Sequence, residues 1–127
     1  MVSTRRIYSL RGQIRFRSVL RHSMRAHDPS GMVMVHVLPA AEPCPLQLGV
    51  IVPRSVCPTA VGRNRLRRLL RESIRTLLVE EPALLAGAEA VVLRWRVKPS
   101  SDCKRLRLRQ VLPLVRAALE VATYSQQ

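Results

Sequence analysis

Leucine and isoleucine recur at helical spacing through the middle of the chain. At about 100° per residue, Leu66, Leu69, Leu70, Ile74, Leu77 and Leu78 fall on one half of a helix. Arg68, Arg71 and Arg75 fall on the other half, with Arg65 at its far edge and Arg67 at the margin beside Leu78. The pattern predicts an amphipathic helix from Thr59 to about Val79. Pro58 fixes its entry, and the Thr59 hydroxyl can accept from a free amide of the first turn. Gly62 works against the prediction, because glycine costs about 1 kcal/mol against alanine in a helix. Nearer the start, Leu10, Ile14, Val19, Leu20 and Met24 keep a helical period with arginines between them. They predict a first helix over about Gln13–Ala26, closed by a turn at Asp28–Pro29–Ser30–Gly31.

A period of two replaces the helical one at Met32–Leu38. Val33, Val35 and Val37 share one face of this strand, and Met32, Met34, His36 and Leu38 the other, so both faces are expected to be at least partly covered. A proline-rich loop, Pro39–Leu46, separates it from a second strand, Gln47–Val52, expected to pair antiparallel with the first. Ala88–Val97 is a third strand, with Val91, Leu93 and Trp95 opposite Ala90, Val92 and Arg94. Trp95 reads as a core residue. Lys98–Pro99–Ser100–Ser101 breaks the strand. Ser101 or Asp102 can cap a last helix to about Ala122, in which Pro113 demands a kink or a late start. The order helix, strands, helix, strand, helix describes an α/β (α+β) two-layer sandwich, with helices on one sheet face and the other open for a ligand. The domain is expected over residues 10–122, with a flexible segment at 1–9 and a tail at 123–127.

Charge adds a partner to this picture. The chain of 127 residues carries a net charge of +14, and 47% of it is hydrophobic, so it has a core and is not a disordered basic tail. A compact domain with that charge attracts polyanions. Between Arg63 and Arg75 there are six arginines and one acid, Glu72, which can pair with Arg65, Arg68 or Arg75. A merely solvated helix face normally mixes signs, so this one favours a nucleic-acid surface. Residues 1–27 hold seven arginines and no acid, a composition shared with organelle transit peptides; the helical period favours a folded helix instead.

Other chemistry is thin. Cys44, Cys57 and Cys103 are odd in number and form no C-x-x-C pair, which suggests reduced thiols in a cytoplasmic protein. No apolar run reaches the length of a membrane span. No paired carboxylates, His-Asp-Ser set or metal-ligand cluster stands out.

The stretch Ala60–Val61–Gly62–Arg63–Asn64–Arg65–Leu66–Arg67–Arg68–Leu69–Leu70–Arg71–Glu72 resembles the signature of the bacterial ribonuclease P protein subunit family. In that family an Ala-Val-x-Arg-Asn-Arg-x-Lys-Arg-x-x-Arg-Glu helix follows a glycine-containing strand, and here Arg67 stands for the usual lysine. Leu10–Arg11, Phe16 and Val19 resemble its opening helix, Leu48–Val52 its central strand, and Ala90–Arg94 with Pro99 its last strand. Arg15 replaces an acid usual in the family, Arg54–Ser55 lacks one charge of a basic pair, and Val56–Cys57–Pro58–Thr59 is one residue longer than the family's turn.

The resemblance implies a ribosomal-protein-like RNA-binding fold and an accessory subunit of an endoribonuclease that removes the 5′ leader of precursor tRNA. It implies catalysis by a large RNA, with Mg2+ held by that RNA and the substrate. The implied partners are the catalytic RNA and precursor tRNA, with no membrane and no small-molecule substrate. The residues carried over as docking on the catalytic RNA are Arg63, Asn64, Arg65, Arg67, Arg68 and Arg71, with Arg54 beside them. A leader-binding cleft is implied between the first helix and the sheet. Phe16 is placed there as a stacking plane, or else as an ordinary core aromatic. Arg11 and Arg15 would reach phosphates, and Met34 with His36 would line the strand side, although His36 reads first as a surface strand histidine with no special role. A structural RNA-binding protein such as a ribosomal protein remains the alternative. A DNA-binding regulator fits the α/β order poorly, and a peripheral membrane protein fits less well still.

Overall fold

A computed structural model describes residues 5–99 and 103–125. Its elements run β1 (Ile7–Ser9), α1 (Gln13–His22), β2 (Met24–His27), β3 (Val33–Pro39), β4 (Leu46–Ile51), α2 (Ala60–Glu80), β5 (Ala88–Trp95) and α3 (Leu108–Ser125). The five strands form one sheet in the order β1-β4-β5-β3-β2. The mixed α and β composition expected from the sequence is therefore present.

The pairing differs from the expectation. Strands β3 and β4 do not form an antiparallel hairpin. Instead β5 lies between them, parallel to β4 and antiparallel to β3. The reason is the crossover: α2 leaves β4 and returns the chain alongside it, which is how parallel neighbours are joined. Strand β5 suits the central place because Ala90, Val91, Val92 and Leu93 are all wholly buried, as a strand covered on both faces requires.

Two short strands escaped the pattern. Met24–His27 does not continue the first helix; α1 stops at His22, and β2 pairs with β3 at the sheet edge. The N-terminal segment expected to be flexible supplies β1, which pairs parallel with β4 from Ile7 to Ser9. Arg5 anchors it by donating to the carbonyls of Cys44 and Leu85, each at 2.7 Å, and to that of Ala88.

Helices α2 and α3 cover one face of the sheet. There Leu66, Leu70, Ile74 and Leu77 of α2 and Val111, Val115 and Leu119 of α3 pack on Val33, Val35, Leu46, Val91, Leu93 and Trp95. The first helix lies on the opposite face, which is a correction to the single helical layer expected. Its buried contact there is small: Val19 with Leu10, Ala90 and Val92, bordered by Phe16, Leu20, Leu38 and Ile51.

Three local expectations can be compared directly. Thr59 caps α2, its hydroxyl accepting from the Gly62 amide at 3.1 Å. The turn after β2 forms around Asp28, whose carboxylate accepts from the amides of Ser30 (2.9 Å) and Val33 (2.8 Å) and from the Ser30 hydroxyl. Helix α3 starts late, at Leu108, and Pro113 lies inside it as its sixth residue, where it removes one interior amide donor. The proposed caps Ser101 and Asp102 lie outside the described residues.

Candidate nucleic-acid interface

Helix α2 turns its leucines inward and holds its cations around the rest of its circumference. Asn64, Arg68, Arg71 and Arg75 are exposed on one side, within about 60° of one another by helix geometry. Arg67 stands half-buried at the margin, where it donates to the Asn64 side-chain oxygen at 2.9 Å. Of the three partners open to Glu72, the structure selects Arg75, one turn further along, at 2.5 Å. Arg68 and Arg71 thus project between an asparagine and one ion pair.

Two arginines of the same stretch face other tasks. Arg63 folds back over the helix entry and donates to the carbonyls of Cys57 (3.1 Å) and Pro58 (2.9 Å). Arg65 donates through Nε and Nη2 to the Leu106 carbonyl, at 3.0 and 2.8 Å, and so ties α2 to the segment before α3. Arg54 is exposed in the turn that leads from β4 towards α2.

That turn explains Gly62, which counted against the helix in the sequence. A Cβ at Gly62 would lie 2.9 Å from the Cys57 sulfur and 3.0 Å from the Cys103 Cβ. The close approach of these two cysteines excludes any side chain there. Cys57 and Cys103 are joined as a disulfide across 46 residues of sequence, Cα to Cα 6.4 Å, and Cys44 is free. The expectation of three separate thiols fails because an odd count cannot exclude a pair made by tertiary folding.

The second site lies on the other face of the sheet. Strand register places Gly49, Val92, His36 and Arg25 in one row, and Ile51, Arg94, Met34 and His27 in the next. Phe16 of α1 lies directly over Gly49: a Cβ there would come within 2.8 Å of the ring. Beyond α1 the face opens into a cavity of about 420 Å3 lined by Arg25, Met34, His36, Pro53, Ser55, Val56, Arg94, Trp95 and Arg96.

His36 is its most unusual member. It is only 6% exposed, and neither ring nitrogen has a hydrogen-bond partner. Burial, and then the positive charges of Arg25 and Arg94, push its pKa below the usual 6.5. At neutral pH the ring is therefore uncharged and offers one donor and one acceptor. The indole Nε1 of Trp95, a core residue as the sequence indicated, is likewise buried without a partner. Buried polar atoms in that state mark places where a ligand or water completes the bonding.

The structure thus brings Phe16, Met34 and His36 onto one sheet face but separates Arg15 from Met34. Arg15 donates to the Gln47 side chain at 3.0 and 3.1 Å and pairs with Glu89 at 2.9 Å. Gln47 stands opposite Ala90, four residues before the row of Arg94 and Met34. Arg11 is exposed in the chain before α1. The three arginines at the cavity, Arg25, Arg94 and Arg96, were missed. Arg94 was readable, since it alternates with Val92 on the open face; Arg25 was hidden by its assignment to a helix.

Among the described residues no group of three or more His, Cys, Asp or Glu side chains is placed to hold a metal ion. Asp28 is turned into its own turn. Burial raises its pKa, but the bonds it accepts from Ser30, Val33 and Met32 outweigh that and leave it below 3.8. Among the described residues no helix is long and apolar enough to cross a membrane.

Comparison with known proteins gives a consistent outcome. The sequence profile of the family described as Ribonuclease P matches residues 5–119. The ribonuclease P protein component of Xylella fastidiosa is 36% identical over 75 residues, covering 59% of this chain and 52% of that one. The component from Xanthomonas oryzae pv. oryzae is 47% identical over 49 residues, 39% of this chain and 31% of its own length. The matched stretch is thus about a third of the Xanthomonas relative. In fold, the chain is similar to the Staphylococcus aureus RNase P protein (TM-score 0.68, 19% identity, 91% of this chain and 94% of that one). It is similar also to the Thermotoga maritima RNase P protein (TM-score 0.67, 20% identity, 92% and 96%).

Proposed function

This chain belongs to the ribonuclease P protein family, and on that premise we propose that it is the protein subunit of a ribonuclease P, acting in removal of the 5′ leader of precursor tRNA. The observation that carries the reading is the outward side of α2, where Asn64, Arg68 and Arg71 project with Arg67 beside them. Guanidiniums on one rigid helix face can grip phosphates of a folded RNA in pairs. Arg54 extends this surface towards the sheet. Arg63 contributes by holding the helix entry.

The open sheet face is the place for the single-stranded leader. Arg25, Arg94 and Arg96 would hold phosphates, and His36 with Met34 would meet a base. Phe16 forms the wall beside them, where a base stacked on an aromatic ring is worth about 1–3 kcal/mol. Arg11 and Arg15 lie towards the other end of α1 and would meet the strand further along. The protein positions; the cutting belongs to the RNA. The magnesium that such a reaction uses would be held by the RNA and its substrate. A cytoplasmic location follows from the same role.

Reconstitution tests the reading. The catalytic RNA of the same organism, given this protein at low magnesium, is expected to remove the leader faster than the RNA without it. No acceleration, together with ribosomal RNA as the species that co-purifies, would instead identify a structural RNA-binding protein.

A further inference from the structure

The segment from Cys103 to Arg109 carries Lys104, Arg105, Arg107 and Arg109 and no acid. Both ends of its first half are fixed to α2. Cys103 is joined to Cys57 at the helix entry, and the Leu106 carbonyl accepts both bonds from Arg65. Cys103 and Leu106 face the core, while Arg105, Arg107 and Arg109 are exposed. A short buried-exposed alternation anchored at two points therefore presents its cations outward.

Its place relative to α2 follows from helix geometry. Arg65 lies about 60° from Arg68 around the helix and about 100° from Asn64. The segment tied to Arg65 consequently flanks the side on which Arg68 stands, and the two sets of cations border one another. Glu72, the acid of α2 nearest to Arg68 and Arg71, is paired with Arg75. We propose that residues 103–109 form a second strip of the RNA-docking surface, continuous with α2, and that Arg65 serves it as a positioning residue that holds Leu106 without touching the RNA.

The proposal rests on the reading that α2 docks on the catalytic RNA. Its partner is that same RNA, because a rigid strip of guanidiniums alongside a helix matches phosphates of a fixed, folded polyanion. Arg65 has both its inner nitrogens directed at one carbonyl, a fork used inside the protein. Moving that carbonyl would shift Arg105 and Arg107 together.

Equilibrium binding of the catalytic RNA, measured against salt concentration, tests this with five variants of the full chain. R68A/R71A reports on α2 alone and is expected to weaken binding; no change there would sink the underlying reading. R105A/R107A is expected to weaken binding roughly tenfold and to flatten the log-log salt slope by about 1 per lost phosphate contact. Wild-type affinity and slope in R105A/R107A, with R68A/R71A impaired, would overturn the second strip while leaving α2 in place. R65Q is expected to weaken binding in the wild-type background and to add nothing in the R105A/R107A background. An equal loss in both backgrounds would show that Arg65 contacts RNA itself and would overturn its positioning role. R65K retains one donor to Leu106 and is expected to recover part of the loss at unchanged melting temperature, so a folding defect in R65Q would not decide the matter.

Discussion

The two faces of the sheet are built on different terms. Under α2 and α3, side chains of both helices and the sheet interlock, and Leu66, Leu70, Ile74 and Leu77 are wholly buried. Under α1, burial is limited to Leu10, Val19, Ala90 and Val92, and the rest of the face ends in a cavity with an unpartnered histidine. The first face stabilises the fold. The second leaves polar groups without partners, a cost that the first must offset. A sheet can keep one side available for a ligand because the other side alone supplies most of the apolar burial.

Removal of volume from the well-packed face should be the most costly change. Leu70→Ala is expected to lower unfolding stability by about 2–5 kcal/mol in denaturant titration. A loss no larger than that of an exposed-site change would break the comparison at its base. Overfilling the thin face comes next. Gly49→Ala places a methyl 2.8 Å from the Phe16 ring, and a loss of about 1–3 kcal/mol is expected as α1 is pushed outward. Stability unchanged on that substitution would mean that α1 is not seated on the sheet as described.

The smallest effect concerns pH and sharpens the contrast. His36 has a folded pKa below its unfolded value of 6.5, so between those two values the unfolded chain binds more protons. Stability contributed by the neutral ring is complete above about 6.5 and is lost as pH falls through the folded pKa. In thermal melts below pH 6.5, His36→Gln should be less acid-sensitive than the wild type. Equal sensitivity would place the titrating group elsewhere. The phosphate of a bound strand would oppose this effect by favouring the charged imidazole.

The sequence displayed most of the first face and less of the second. The leucine period of α2 and the alternation in β3 and β5 are strong because a covered face repeats at one spacing over many residues. The arginine signature of α2 was enough to mark the family. Strand pairing was not legible, because nothing in Leu46–Ile51 records that its neighbours come from residues 7–9 and 88–95. Edge strands were lost for a related reason. Met24–His27 has only one buried side chain, Ala26, so it carries too little pattern to interrupt an adjoining helix period. The tasks of Arg63 and Arg65 could not be seen either, since a carbonyl acceptor leaves no mark in the residue types. Cys57 and Cys103 showed no pairing because their proximity is made only by the arrival of α3's leading segment beside α2.

The place of β5 bears on how the molecule comes into being. The ribosome delivers the two flanks of the sheet long before the strand that joins them. Until residues 88–95 emerge, β4 and β3 have no common neighbour, and the arginine helix has no completed floor for its leucines. Productive assembly is therefore a late, non-local event of the kind that slows folding. A nascent chain halted before Ala88 would display an oily stripe and a dense positive charge together, and would be prone to adhere to any nearby polyanion before it has a shape with which to choose one.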